Sequence, residues 1–160
     1  MFYNKINIMT DHKPFFILAI NEDQTRLFRG DQDSLQPVSV ENMLPNGIDE
    51  AKERSDAENN LQMRGGGNAF NTPIFREQDL GSDHKLKDLK RYFYHIDQGI
   101  QEILGDSKTP LVIAAPDYMV PIYKETSDYL SITPQHISGN FENKDLSELY
   151  DAAASIVNEN

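Results

Sequence analysis

The stretch from Asp83 to Gly105, DHKLKDLKRYFYHIDQGIQEILG, constrains this chain most, because it alone is long and periodic enough to be the spine of one core. Leu86, Leu89, Phe93, Ile96, Ile100 and Ile103 recur at steps of three and four, the spacing that gathers side chains on one face of an α-helix. Ser82 or Asp83 offers a side-chain oxygen to the free N–H groups of the first turn, and Gly105 can turn left-handed after the last. The opposite side carries His84, Lys87, Arg91, Tyr94 and His95, with Lys90 at its margin. A strip of this kind is either a solvated face or a surface that tracks phosphates.

At 160 residues the chain has room for one domain with a real core. Its formal charge of −11 opposes indiscriminate binding of nucleic acid by the body of the domain, so any such contact must be local. Without cysteine there is no disulfide framework, thiolate nucleophile or zinc–thiolate site, and a reducing cytoplasm suits the composition. No window approaches the roughly 18 apolar residues of a membrane span, so the expectation is a soluble, cytoplasmic protein with no membrane partner. Residues 1–13 are polar and patternless and read as a linker or tail ahead of a single domain over 14–158.

Pro14 to Ile20, PFFILAI, is a continuous apolar run of strand length, which predicts a central strand covered on both faces. Turn residues Asn21 to Gln24 and an alternating run from Thr25 to Arg29 predict an antiparallel hairpin. Pro37 to Val40 predicts a third strand, nearer an edge because of its proline. Gly47 to Arg54 suggests a short acidic helix. From 55 to 82 nothing is strongly periodic, which predicts a long flexible loop, and loops of that length usually carry function. After the spine, Pro110 to Ala115 predicts a second buried strand, followed by a helix through Leu130, a short edge strand over His136 to Asn140 and a final helix opened by Lys144 and Asp145. That last helix sets Leu146, Leu149, Ala153 and Val157 at core spacing. Helix and buried strand in alternation after a meander give an α/β fold.

The four histidines are scattered and no HExxH or calcium-loop pattern occurs, so neither metal nor cofactor is expected. The Gly65 to Gly67 run lacks the lysine of a Walker-type phosphate loop. Asp117 follows a buried strand, where it is either a helix cap or one of the ligand contacts that open α/β sheets place at strand ends.

Four stretches in this order, PFFILAINEDQTRLFRG, LKDLKRYFYHIDQGIQEIL, PLVIAAPDYMVPIYKETSDYL and HISGNFENKDLSELYDAA, span nearly all of the chain after Lys13. Together they resemble the middle domain of archaeal and eukaryotic class 1 translation release factors and of their bacterial relatives, the bacterial archaeo-eukaryotic release factor families. The resemblance implies a mixed sheet of about five strands, an N-terminal antiparallel meander plus a buried α/β strand, flanked by three to four helices. It also implies a partner, the ribosome with its peptidyl-tRNA, rather than DNA.

In such factors the loop before the long helix carries Gly-Gly-Gln, which promotes peptidyl-tRNA hydrolysis in the peptidyl transferase centre. Glycines let the backbone thread among RNA, and an amide helps place the attacking water. Here that loop offers Gly65, Gly66, Gly67 and Asn68, so glycine stands where the glutamine would be and a shorter amide follows one position later. Gln78 is the other candidate amide, without paired glycines. The resemblance makes His84, Lys87, Lys90 and Arg91 contacts to RNA phosphate, and a further domain of the same polypeptide would supply additional positive charge. Loss of the intact motif equally suits a non-catalytic binding module on the same fold.

Overall fold

The computed structural model of the chain describes residues 14–31, 34–40, 42–55 and 76–159. Phe15–Ile20 (β1), Thr25–Gly30 (β2) and Leu35–Val38 (β3) form the antiparallel meander. A helix over 48–55 (α1) precedes the long helix Arg76–Leu104 (α2). Leu111–Ala115 (β4), Met119–Thr126 (α3), Ile137–Ser138 (β5) and Leu146–Glu159 (α4) complete the order. The sheet runs β3-β2-β1-β4-β5, a mixed five-stranded α/β arrangement as expected.

β1 sits at the centre, antiparallel to β2 with Ile17 opposite Phe28, and parallel to β4 with Leu18 opposite Ile113. Side chains on a strand alternate between faces. Leu18 and Ile20 of β1 with Leu111, Ile113 and Ala115 of β4 therefore pack under α2 and α3. Phe15, Ile17 and Ala19 with Val112 and Ala114 meet Leu149, Ala153 and Ile156 of α4 on the other face. Coverage on both sides is why these two strands read as unbroken apolar runs. β3 pairs only with β2 and carries Pro37, as an edge strand can, though it begins two residues before the predicted Pro37.

Four boundaries and positions differ from expectation. α2 starts at Arg76, not near Asp83, so the far end of the predicted 55–82 loop is helical. Arg76 to Leu80 are mostly good helix formers, and Gly81 is carried inside a helix long enough to absorb it. α3 stops at Thr126 because Asp97 accepts from the Ser127 hydroxyl and the Asp128 N–H, drawing Ser127 into extended backbone. On α4, Leu146 is exposed and Ile156 takes a core place instead. On α2, Leu86 is exposed while Tyr92 is wholly buried.

The ends of the helices follow local chemistry. α2 stops at Gly105, which has φ +56° and donates its N–H to Gln101 O at 2.8 Å. α4 opens on a reciprocal cap: Asp145 Oδ1 accepts from the Glu148 N–H at 3.2 Å and Glu148 Oε1 accepts from the Asp145 N–H at 3.3 Å.

Candidate functional site

The three mutually parallel strands β1, β4 and β5 end on one edge of the sheet, and α2, antiparallel to them, passes that edge with its N-terminal half. Lys85 Nζ reaches Glu22 Oε2 at 2.8 Å, immediately beyond β1. The Tyr118 hydroxyl, just beyond β4, donates to the same carboxylate. Lys85 and then Tyr118, by hydrogen bonding, hold the Glu22 carboxyl below the usual glutamate range. Burial and the neighbouring Glu22 push the Tyr118 phenol up to about 12.

Asp117 lies beside them. His136 Nε2 donates to Asp117 Oδ1 at 2.8 Å and Ser138 Oγ donates to the same oxygen at 2.7 Å. These two bonds, the histidine's first, hold the Asp117 carboxyl below its ordinary value. The cap reading of Asp117 is thereby corrected: α3 has Tyr118 at its N-cap and no side-chain cap. Asn140, beyond β5, accepts from Asn21 Nδ2 at 3.0 Å and closes the edge. The three residues do not form a nucleophilic triad. Ser138 spends its proton on the aspartate, and its oxygen stands 3.5 Å from a histidine nitrogen that is already donating. Sequence reading missed His136 and Ser138, although their spacing of two at a strand end puts both on one side of the chain.

Lys87, Lys90 and Arg91 lie on the outward side of α2 and make no ion pair among the described residues. His84 differs: its Nε2 lies 3.9 Å from Asp88 Oδ2, which also faces Lys52 Nζ at 3.6 Å. His95 is not on the solvated strip as expected. It is 6% exposed, and its Nε2 is 2.9 Å from Ser55 Oγ, so α1 covers it. Tyr94 stays outside at 51% exposure.

Gly65, Gly66, Gly67 and Asn68 lie outside the described residues. Gln78 falls in the first turn of α2, with its side chain outside what is described. Among the described residues no group of three or more His, Asp or Glu side chains could hold a metal ion, and no helix is long and apolar enough to cross a membrane.

Compared with known families, residues 15–159 match the model of the bacterial archaeo-eukaryotic release factor family 7. Among curated proteins the chain finds no match. The family match runs from the first residue of β1 to the last of α4 and takes in every strand and helix described above; the chain belongs to the bacterial archaeo-eukaryotic release factor family 7.

Proposed function

We propose that this chain is a domain of a translation release or ribosome-rescue factor that engages the ribosome and promotes peptidyl-tRNA hydrolysis through the Gly65 to Asn68 loop. The observation that carries the reading is the family match over 15–159, which gives the chain a translation-related role. Two features are compatible with the finer roles. The glycine run precedes α2 in the chain, and Lys87, Lys90 and Arg91, without an ion pair among the described residues, form a cationic strip on a protein whose net charge is −11. Cations in that position would neutralise RNA phosphates locally while the acidic body limits binding elsewhere.

Purified protein tested on stalled ribosomes should co-sediment with them and release the nascent peptide. Gly66→Trp should abolish release while leaving sedimentation intact, because a bulky side chain cannot thread where a bare backbone must. If release instead follows Gln78→Ala and ignores Gly66, the loop assignment is wrong. Failure of both sedimentation and release would sink the proposal.

The second reading is a non-catalytic ribosome- or protein-binding module. It is favoured by one specific feature, Gly67 at the position that holds the motif glutamine in hydrolytic factors. Sedimentation without release, indifferent to changes from Gly65 to Gln78, would select it.

A further inference from the structure

The cationic strip does not end at Arg91. Lys87, Arg91, Tyr94, Gln98 and Glu102 follow at steps of three and four, so they share one face of α2 and continue it over about 22 Å. Tyr94 is the unusual member. Its ring is half exposed, yet it is braced twice: the phenol oxygen accepts from Gln98 Nε2 at 2.8 Å, and the ring meets His95 edge-on with centroids 5.4 Å apart. His95 is in turn fixed by Ser55. A surface tyrosine held this way gives up little rotamer freedom when something stacks on it.

Beside the ring opens a cleft of about 660 Å³, lined on its walls by Arg54, Gln98, Gln101, Glu102 and Asp128. That volume lies within the range of about 300–1,000 Å³ typical of small-ligand sites. Its polar groups are asymmetric. Arg54 in its wall already faces Glu50 Oε2 at 3.5 Å, Lys87, Lys90 and Arg91 stand outside it, and Glu102 and Asp128 present carboxylates that accept from an amine.

We propose that Tyr94 and this cleft are the seat of one unpaired RNA nucleobase, with the strand's phosphates running along Lys87, Lys90 and Arg91. The base stacks on Tyr94, as bases do on aromatic platforms of single-strand binders. The carboxylates select bases that carry an exocyclic amine, adenine, cytosine or guanine, over uracil, whose carbonyls would face them. The inference rests on the RNA-binding part of the proposed function and adds to it a site and a base preference.

Fluorescence anisotropy with labelled oligo-A, oligo-C and oligo-U of about ten nucleotides, within single-strand site sizes, tests it. The wild-type protein should bind oligo-A and oligo-C more tightly than oligo-U. Tyr94→Ala should weaken oligo-A and oligo-C binding about tenfold, and Tyr94→Phe should bind like wild type because the platform remains. Glu102→Gln should narrow the preference against oligo-U. No oligonucleotide binding by wild type, or Tyr94→Ala binding as wild type does, overturns the proposal. Ribosome sedimentation of the same proteins separates the two readings. Sedimentation with Tyr94-independent oligonucleotide binding removes the base seat and leaves the ribosomal role. Tyr94-dependent binding without sedimentation removes the ribosomal role and leaves the seat.

Discussion

The Tyr92 hydroxyl lies 2.7 Å from Thr25 Oγ1 inside the core, where it also donates toward Asn21 O at 2.8 Å and Gln24 O at 3.0 Å. One phenol oxygen thus joins the middle of α2 to the β1–β2 turn, and burial raises its pKa above the ordinary tyrosine value. Tyr92→Phe keeps the ring but leaves a buried hydroxyl and two turn carbonyls without this partner. The expected loss is about 1–3 kcal/mol of unfolding free energy by denaturant titration. A loss within error of zero would mean that water replaces the phenol.

At Gly99 the 42–47 turn comes close against α2. A Cβ built there would stand 2.3 Å from Leu44 Cδ2 and 2.5 Å from Met43 O. The leucine tip can move, whereas the backbone carbonyl cannot without shifting the 42–47 turn. Alanine is ordinarily the better helix residue. Here Gly99→Ala should destabilise by about 1–3 kcal/mol through overpacking, read as a lower denaturation midpoint. A stabilised variant would show that the turn yields freely.

Glu22 gives a pH dependence whose sign is fixed. Its folded pKa is lowered, so its contribution is complete above the unfolded glutamate value of about 4.3 and is lost as pH falls through the lowered folded value. Both partners are partly exposed, with side-chain values of 51% for Lys85 and 39% for Glu22, so screening keeps the effect below about 1 kcal/mol. Unfolding free energy measured from neutral pH down to about 3 should fall more steeply in wild type than in Lys85→Met across this window. Parallel curves would show that the pair contributes nothing.

Asp117 offers a cleaner titration. Its carboxyl is held down first by the His136 hydrogen bond and then by Ser138. His136→Ala should raise the Asp117 pKa toward the ordinary aspartate value, and Ser138→Ala should raise it less, both read from side-chain carbonyl shifts in NMR titrations. An unchanged Asp117 in His136→Ala would remove the pair from any account of this edge.

Much of the fold is legible in the chain because its signals are local. The apolar runs at 15–20 and 111–115 announce strands covered on both faces, and Gly105 stops α2 through a positive φ that other residues resist. What escaped depends on distant neighbours. His95 follows Tyr94 and looks equally solvated, until Ser55 of α1 covers it. Asp97 reads as one more surface carboxylate, although it gathers bonds from Ser127 and Asp128 and fixes the end of α3. Gly81, Ser82 and Asp83 resemble a helix start while lying inside α2. At the candidate site, Asp117 and the cationic strip could be found from sequence, whereas the joining of Asp117 to His136 and of Glu22 to Lys85 could not, since residues 19 and 63 positions apart meet only through the sheet's topology.

The cationic strip and its neighbour His84 should separate in a salt titration. Lys87, Lys90 and Arg91 carry charges that no described side chain neutralises, whereas His84 already faces Asp88. Each phosphate contact contributes about one unit to the slope of log affinity against log salt, through counterion release. Lys87→Ala and Arg91→Ala should therefore each lower that slope by about one for a short RNA strand and weaken all sequences alike. His84→Ala should leave the slope unchanged, because its ring already faces the Asp88 carboxylate. Equal slopes for wild type and Arg91→Ala would mean that RNA does not follow this face of α2.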